Sequence, residues 1–400
     1  MTDSVVIVGG GLGASRLAEN LRGNEFAAPI TIISAEAHPP YDRPPLSKST
    51  LTDAADRVDL KPSEFYTDAG IELRLSSRVV AVDTAARHVT VETGGQRSEV
   101  PYGTLVLATG LSPRRFPGEG ADLSGVHVIR TFDDAVALRE DVDGVRTAVV
   151  IGAGFIGCEA AASLTKLGLT VTVVEPAQTP LAGALGPVIG GFVARLHTEA
   201  GVNLRTGVGV TRLCGTDGRV SAVELDDGTV LDADLVVVGI GGYPDLTYLE
   251  GSGIELADRS TGGGIACDHL GHTSAPGVFA IGDAANWADA HGRRHRVEHW
   301  NHTVEQAVTV AAEIEEHALP APTVPYFWSD QYDLKVQLLG APRPDDQVHV
   351  VDDDGRKFLA YYSRDGLLTG VVGAGRVGKL MKTRPHLLTE TPIAELLDAQ

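Results

Sequence analysis

The sequence, 400 residues long, predicts an α/β fold made of two similarly built βαβ domains and a smaller C-terminal domain. Two segments carry this prediction: SVVIVGGGLGASRLAENL near the start and TAVVIGAGFIGCEAAASLTKLG in the middle. Each is a short β-branched run, a glycine-rich turn and an amphipathic helix. After the proline-rich segment 320–325 the pattern changes to short strands with turns, followed by a helix rich in basic residues. We therefore predict two Rossmann-like dinucleotide-binding domains and a small C-terminal α/β domain.

Composition and charge limit the partners that the chain can have. The formal charge of −20 disfavours nucleic acid and anionic membrane surfaces. Apolar runs such as 235–240 are far shorter than the ~20 residues of a membrane-spanning helix, and the N-terminus has no signal-peptide pattern. Cys158, Cys214 and Cys267 have no CxxC spacing, which argues against a disulfide framework, a metal site or an iron–sulfur cluster. We expect a cytoplasmic protein without a metal.

The first glycine-rich turn fits the G-x-G-x-x-G/A pattern at Gly9, Gly11 and Ala14, directly after a strand. The first glycine allows a tight turn, the second lets the backbone approach a pyrophosphate, and the third position lets the helix pack close to the sheet. The pyrophosphate then lies at the helix N-terminus, where free N–H groups attract anions. Glu36 ends the next strand, where its carboxylate can accept hydrogen bonds from adenosine ribose hydroxyls.

The second turn repeats the pattern at Gly152, Gly154 and Gly157, with Glu175 at the end of the following strand. An acid at that position favours NADH, because it would repel the 2′-phosphate of NADPH. No arginine follows Glu175 closely, which supports the same preference.

Two further strands indicate which turn binds which cofactor. The strand 104–108 runs into Thr109 and Gly110, and the strand 278–281 runs into Gly282 and Asp283, whose carboxylate would bind the ribityl and pyrophosphate region of a flavin. The chain thus leaves the first domain, builds the second and returns. This insertion predicts an FAD-binding domain at 1–114 and 245–322, an NAD-binding domain at 115–244 and a C-terminal domain at 323–400.

Five segments carry a family resemblance that spans the whole chain: YDRPPLSK at 41–48, GAGFIGCE at 152–159, GVFAIGDAA at 277–285, RVEHWNHTVEQA at 296–307 and FWSDQYDLKVQLLG at 327–340. With them, the sequence resembles the oxygenase-coupled, NADH-dependent ferredoxin reductases of the putidaredoxin reductase type, within the two-dinucleotide-binding flavoprotein superfamily. It departs from the family after Glu175, where relatives often carry arginines, and in the loop 241–245, where Tyr243 either shields the flavin or packs against a turn.

The resemblance implies three catalytic residues. Lys48 would lie close to the reactive N5 of the flavin, Glu159 would pair with it, and Trp300 would lie near the isoalloxazine. Trp328 and Gln331 would form a wall of the site. Ordinary alternatives remain open: a surface lysine, a first-turn acid favoured by the helix dipole, and core tryptophans. The predicted cofactor-binding residues are Gly9, Gly11, Leu12, Gly13, Ala14, Glu36, Arg43, Pro45, Lys48, Val79, Ala108, Thr109, Gly110, Arg130, Gly152, Gly154, Phe155, Ile156, Gly157, Glu159, Glu175, Gly239, Ile240, Gly241, Gly282, Asp283, Glu298, His299, Trp300 and Trp328.

By the same resemblance, NADH gives a hydride to FAD, and electrons then pass singly to a [2Fe-2S] ferredoxin that supplies a cytochrome P450 or a ring-hydroxylating dioxygenase. The protein itself is expected to be a monomer or a weak homodimer. Two basic clusters are candidate docking surfaces for an acidic ferredoxin: Arg293, Arg294 and Arg296, and the segment 376–384.

Three alternatives keep the fold but change the electron acceptor or the role of NADH. One is a rubredoxin reductase. Another is an NADH oxidase or a disulfide-type or peroxide reductase, which needs a redox cysteine where the segment 37–50 has none. The third is a redox-sensing flavoprotein of the apoptosis-inducing-factor type, in which NADH switches conformation or dimer state.

Overall fold

The structure is a computed structural model that describes residues 4–289 and 291–398. The helices found within these residues are α1 (Leu12–Gly23), α2 (Ser49–Thr52), α3 (Ser63–Asp68), α4 (Phe132–Val142), α5 (Phe155–Lys166), α6 (Ala182–Glu199), α7 (Trp300–Ile314), α8 (Val377–Lys382) and α9 (Ile393–Asp398). The strands are β1 (Val5–Val8), β2 (Ile30–Ile33), β3 (Ile71–Arg74), β4 (Ser77–Asp83), β5 (His88–Thr93), β6 (Gln96–Pro101), β7 (Thr104–Leu107), β8 (Ser112–Pro113), β9 (Val126–His127), β10 (Thr147–Ile151), β11 (Thr170–Glu175), β12 (Asn203–Thr206), β13 (Val210–Thr216), β14 (Arg219–Leu225), β15 (Val230–Asp232), β16 (Leu235–Val238), β17 (Gly242–Tyr243), β18 (Ile265–Cys267), β19 (Val278–Ala280), β20 (Ala285–Trp287), β21 (Tyr326–Gln331), β22 (Leu334–Gly340), β23 (Gln347–Asp353), β24 (Phe358–Arg364) and β25 (Leu367–Ala374).

The chain divides into two compact units. The first contains residues 4–42, 57–112 and 243–322, and the second contains 43–56, 113–242 and 323–398. Each unit contains a five-stranded parallel sheet, so the predicted α/β class is confirmed. The segment 43–56, which the predicted boundaries place in the FAD-binding domain, groups with the second unit. The assignment of cofactors to domains stays a prediction.

The parallel sheet of the first unit has the order β19-β7-β1-β2-β3. Strand β1 is buried along its whole length, as β-branched strands in parallel sheets usually are. Its side chains alternate between two cores. Val5 and Ile7 pack on the side of α1 and α7, whereas Val6 and Val8 pack on the side of the antiparallel sheet β4-β5-β6.

The second unit repeats this arrangement with the order β12-β11-β10-β16-β9. Helix α5 contacts β10 and β11, while Val149 and Ile151 of β10 share a core with the antiparallel strands β13 and β14. Both three-stranded antiparallel sheets lie outside the elements that the sequence analysis predicted. They cover one face of each parallel sheet and leave the carboxyl ends of the strands for the glycine turns.

The C-terminal strands form an antiparallel sheet in the order β21-β22-β25-β24-β23, packed with α8 and α9. Strands β21 and β22 pair with each other through a two-residue turn at Tyr332 and Asp333. Helix α6 is kinked at Gly186, whose φ is 77°, and a Cβ there would lie 2.6 Å from the carbonyl oxygen of Pro344. The Tyr362 hydroxyl donates to the carbonyl of Leu185 at 2.7 Å. These contacts fix α6 against the C-terminal sheet.

Within residues 4–289 and 291–398, every helix is too short or too polar to span a bilayer. The same residues contain no cluster of His, Cys, Asp and Glu side chains that could hold a metal ion.

Candidate active site

The glycine turn of the first unit connects β1 to α1. Gly9 has a φ of 118°, and a Cβ there would lie 2.2 Å from the carbonyl oxygen of Ala108. A Cβ on Gly11 would meet no atom within 4 Å. Helix α1 begins at Leu12, so its first N–H groups face this open side. The turn therefore fits a pyrophosphate, because Gly9 is required by close packing and Gly11 leaves room for an anion.

The other predicted residues of this half-site lie at the same edge of the sheet. Strand β7 lies between β1 and β19 in the parallel sheet, which brings Thr109 and Asp283 to the carboxyl edge. The Gly282 N–H donates to Gln306 Oε1 at 2.7 Å. Glu36 follows β2, and the Tyr41 hydroxyl donates to Glu36 Oε2 at 2.5 Å, which fixes the carboxylate.

The glycine turn of the second unit has the same construction. A Cβ on Gly157 would lie 2.1 Å from the carbonyl oxygen of Gly152, and one on Gly152 would lie 2.5 Å from that of Gly239. A Cβ on Gly154 would have no neighbour closer than 4.0 Å. Helix α5 begins at Phe155. This turn also fits a dinucleotide pyrophosphate.

Glu175 ends β11 beside this turn. One carboxylate oxygen accepts a hydrogen bond from the Ala153 N–H at 2.7 Å, and the other accepts one from the Ala177 N–H at 2.8 Å. Each oxygen keeps further acceptor capacity, so the side chain is held in place and can still accept from a ribose hydroxyl. The chain that follows β16 carries Ile240 and Gly241 at the same edge.

The strongest polar cluster of the second unit is centred on Glu159. The Lys48 ammonium lies 2.7 Å from Glu159 Oε2 and 3.0 Å from the carbonyl oxygen of Pro44. The Ser47 hydroxyl donates to Glu159 Oε2 at 2.6 Å, and the Ser329 hydroxyl donates to Oε1 at 2.7 Å. Glu159 is only 4% exposed. The structure thus brings the half-buried Lys48 and the buried Glu159 together as an ion pair, in which both carboxylate oxygens accept hydrogen bonds.

The remaining predicted residues of the second unit make separate contacts. Arg43 donates to the carbonyl oxygen of Arg130 at 2.5 Å. The ring of Trp328 stacks on that of Tyr326, with centroids 5.9 Å apart. The Phe155 ring contacts Phe327 at 4.3 Å between centroids. Pro45 lies in the helical turn at 44–47, and the exposed Ile156 lies in the first turn of α5.

In the first unit, the indole N–H of Trp300 donates to Asp42 Oδ1 at 2.8 Å. Val79 is a buried core residue of β4. Glu298 pairs with Arg296 at 2.7 Å. Burial lowers the pKa of His299 to about 4, so its imidazole is neutral at pH 7. The roles that the resemblance gives these residues stay predictions.

Several residues of the Glu159 cluster were absent from the predicted site. Ser47, Ser329, His197 and Tyr332 join it through hydrogen bonds that close only in three dimensions. Ser47 was within reach of sequence analysis, because it precedes Lys48 in the quoted segment YDRPPLSK. His197 gave no such signal.

The thiols are poorly suited to redox chemistry. Burial and the charges of Glu159 and Glu175 raise the pKa of the Cys158 thiol well above its usual range. Burial raises the pKa of Cys267 to about 12. Because the thiolate is the reactive form, neither side chain is a competent nucleophile at neutral pH.

Two known protein families match most of the chain. The family described as "Pyridine nucleotide-disulphide oxidoreductase" matches residues 3–307, and the one described as "Reductase C-terminal" matches 326–398. The chain belongs to the pyridine nucleotide-disulphide oxidoreductase family. The predictions of an oxidoreductase that uses FAD and NAD, and of this superfamily, are confirmed.

Individual relatives resemble the chain along nearly its whole length. A ferredoxin--NAD(P)(+) reductase of Sphingomonas sp is 39% identical, covering 92% of this chain and 89% of the relative. A rubredoxin-NAD(+) reductase of Pseudomonas putida is 36% identical, covering 87% and 89%. The crystal structure of the ferredoxin reductase for the CYP199A2 system from Rhodopseudomonas palustris superposes with a TM-score of 0.91 at 35% identity, covering 98% and 96%.

The glycine turn of the second unit gives a paired prediction. Gly157→Ala should destabilise the protein by about 3 kcal/mol, because its Cβ would meet the Gly152 carbonyl at 2.1 Å. The helix-propensity gain of about 1 kcal/mol cannot offset that contact. Gly154→Ala should leave stability within about 1 kcal/mol of the parent but weaken NADH binding on the order of tenfold. Urea denaturation and NADH titration measure both. Equal stabilities for the two variants would contradict the assigned packing.

The thiols give a second prediction. Alkylation of the native, NADH-reduced enzyme should leave turnover unchanged, because Cys158 and Cys267 are buried and protonated. The measurement is turnover with ferricyanide after iodoacetamide treatment, with denatured protein as the control for complete labelling. Loss of turnover in step with labelling of Cys158 would show that its thiol takes part.

His197 gives a prediction on pH and stability. Burial lowers its pKa to about 4, whereas the unfolded side chain has a pKa of about 6.5. The unfolded state therefore binds the proton first as the pH falls, and stability is lost between about pH 6.5 and pH 4. At pH 5 this group should cost about 2 kcal/mol relative to pH 8. Calorimetric unfolding of His197→Gln should show a smaller loss over that range than the parent. An unchanged loss would contradict a neutral buried imidazole.

Proposed function

We propose that this protein is an NADH-dependent reductase that passes electrons from FAD to a [2Fe-2S] ferredoxin, which in turn supplies a cytochrome P450 or a ring-hydroxylating dioxygenase. The observation that carries the proposal is the ion pair between Lys48 and the buried Glu159, combined with two glycine turns that each have room for a pyrophosphate. When bound, the flavin accepts a hydride from NADH and releases electrons one at a time. We place FAD at the turn of the first unit and NAD at that of the second.

The residues of the chain supply binding, orientation and charge. Glu36 and Glu175 are carboxylates held by hydrogen bonds of the protein that would accept hydrogen bonds from ribose hydroxyls, and Glu175 would repel a 2′-phosphate. Lys48 would supply a positive charge that stabilises an anionic reduced flavin. Glu159 keeps the ammonium in place without leaving an isolated buried charge. The carboxylate of Glu175 therefore supports a preference for NADH over NADPH.

Comparisons support the class of acceptor. The Sphingomonas relative and the structure from Rhodopseudomonas palustris are both named ferredoxin reductases. The rubredoxin reductase of Pseudomonas putida is similar enough to keep a rubredoxin as the second candidate acceptor. Stopped-flow reduction by NADH and by NADPH, followed by mixing with purified ferredoxins and rubredoxins, separates the two. Faster reduction of every rubredoxin than of any ferredoxin would overturn the proposal.

The basic residues of the candidate docking surfaces differ in their exposure and in their hydrogen bonds. Arg294 donates to the backbone carbonyls of Cys267 and Asn286, and Arg296 is 10% exposed and donates to the carbonyls of Gly262 and Asp283. These two arginines hold the backbone of the first unit. Their charges are committed to internal hydrogen bonds, which makes them poor docking contacts.

Other basic side chains are better placed to meet an acidic carrier. Arg293 is 72% exposed and makes an ion pair with Asp289 at 2.8 Å. In the segment 376–384, Arg376 is bound by Asp352 and Asp354, whereas Lys382 and Arg384 are exposed. We therefore place ferredoxin docking on Arg293, with Lys382 and Arg384 as the second candidate surface.

Charge reversal tests this docking surface. Arg293→Glu should lower kcat/KM for ferredoxin about threefold to tenfold at low salt, with ferricyanide reduction changed much less, because a small ion does not need the protein docking contact at Arg293. Arg97→Glu is the matched control, since Arg97 is 68% exposed and also paired with a single carboxylate. If Arg293→Glu slowed both acceptors equally, or slowed neither, docking at this surface would be wrong.

A further inference from the structure

The carboxylate of Glu159 lies at one end of a chain of buried hydrogen bonds in the second unit. The Ser329 hydroxyl donates to Glu159 Oε1 at 2.7 Å, and the Gln331 amide nitrogen donates to Ser329 Oγ at 3.4 Å, the longest link. Gln331 Oε1 lies 3.2 Å from His197 Nε2, and the Tyr332 hydroxyl lies 2.8 Å from His197 Nδ1. Ser329, Gln331 and His197 are each 0% exposed, so water does not compete for these contacts.

The charge of Glu159 determines the direction of every link. An ionised carboxylate only accepts, so Ser329 must give its proton to Oε1. Ser329 Oγ can then only accept from Gln331, which must present its NH₂ group to Ser329 and its carbonyl oxygen to His197. His197 therefore carries its proton on Nε2, and Nδ1 accepts from the Tyr332 hydroxyl. All four donors point towards Glu159.

The ionisation states of His197 and Tyr332 agree with this direction of hydrogen-bond donation. Burial lowers the pKa of His197 to about 4, so the imidazole is neutral and has one donor and one acceptor nitrogen. Burial raises the pKa of the Tyr332 hydroxyl, which keeps it protonated as a donor. Each member thus has the protonation state that the chain requires at pH 7.

The backbone at Tyr332 is a second, independent observation. Tyr332 has a φ of 59° in the two-residue turn between β21 and β22, at a position where glycine is usual. Left-handed conformations are unfavourable for bulky residues and persist where the surroundings compensate for them. Here the compensation includes the hydrogen bond from its hydroxyl to His197.

We propose that Ser329, Gln331 and His197 are positioning residues that orient the Glu159 carboxylate and, through it, the ammonium group of Lys48. Aligned donors withdraw negative charge from Oε1, and they leave Oε2 to bind Lys48 and Ser47. The C-terminal sheet, through β21, thereby helps to set the position of the Lys48 ammonium. This inference rests on the proposed function, because it assumes that Lys48 acts on FAD.

Variants of Ser329 test the inference in the FAD-loaded enzyme. Ser329→Ala should lower the rate constant of FAD reduction at saturating NADH about tenfold, because a hydrogen bond to a buried charge is lost. The Kd for NADH should change by less than about twofold, since binding contacts are untouched. The midpoint potential of the bound FAD should become more negative, because Glu159 then neutralises Lys48 more fully. Ser329→Thr, which keeps the hydroxyl, should restore the rate and the potential.

Ser363→Ala is the matched control. Ser363 is 3% exposed, lies in the same sheet and makes a hydrogen bond to His349 at 2.8 Å, with no link to Glu159. It should leave the rate constant and the potential unchanged. Parent-like values in Ser329→Ala, or an equal loss in Ser363→Ala, would overturn the inference.

A measurement on the parent enzyme covers the case in which Ser329→Ala does not fold. In ¹⁵N-histidine NMR of the holoenzyme at pH 7, the His197 signal, assigned by its absence in His197→Gln, should show a proton on Nε2 and none on Nδ1. A proton on Nδ1 would reverse the direction of the chain and end the inference. Both tests examine the enzyme before any carrier is added, so failure to reduce a ferredoxin would refute the proposed function without changing these results.

Discussion

A buried carboxylate needs a donor for each of its oxygens, and this requirement at Glu159 organises the second unit. Leaving such a charge unpaired would cost several kcal/mol, so its partners are structural necessities. They come from Lys48, Ser47 and Ser329, which are 111, 112 and 170 positions away in sequence. One side chain thus joins the segment 43–56, the parallel sheet and the C-terminal sheet. The same three stretches belong to one compact unit although other residues separate them along the chain.

The glycine turns have the opposite requirement. Backbone N–H groups that bind a pyrophosphate must not be hydrogen-bonded within the protein. In both turns a Cβ on the first glycine would lie within 2.5 Å of a backbone carbonyl oxygen, as would one on Gly157 in the second turn, and the middle glycine faces open space. The carboxylates that follow the second strands, Glu36 and Glu175, are held by hydrogen bonds of their own. Rigid acceptors beside free helix N–H groups match a nucleotide, which offers ribose hydroxyls next to a pyrophosphate.

Sequence analysis predicted the features that depend on residues close together in the chain. The strands before each glycine turn, and the acids after the next strands, follow from spacing alone. The antiparallel sheets β4-β5-β6 and β13-β14-β15 were missed, although their strands show partial apolar alternation. Ser329 and His197 could not be found, because their partners lie 170 and 134 positions away. The backbone hydrogen bonds of Arg294 and Arg296 could not be predicted, since a charge cluster gives no sign that its members bind backbone carbonyls.

The same electrostatics separate this chain from the disulphide chemistry in the name of its family. Cys158 lies in the first turn of α5, where the helix dipole usually favours a thiolate. Here complete burial and the negative charges of Glu159 and Glu175 raise the pKa of the thiol instead. Those two carboxylates are the ones that we assign to Lys48 and to the nucleotide ribose. The charge pattern that we assign to hydride transfer therefore suppresses a thiolate on the same helix. Reducing equivalents need an acceptor outside that helix, as a separate protein carrier provides.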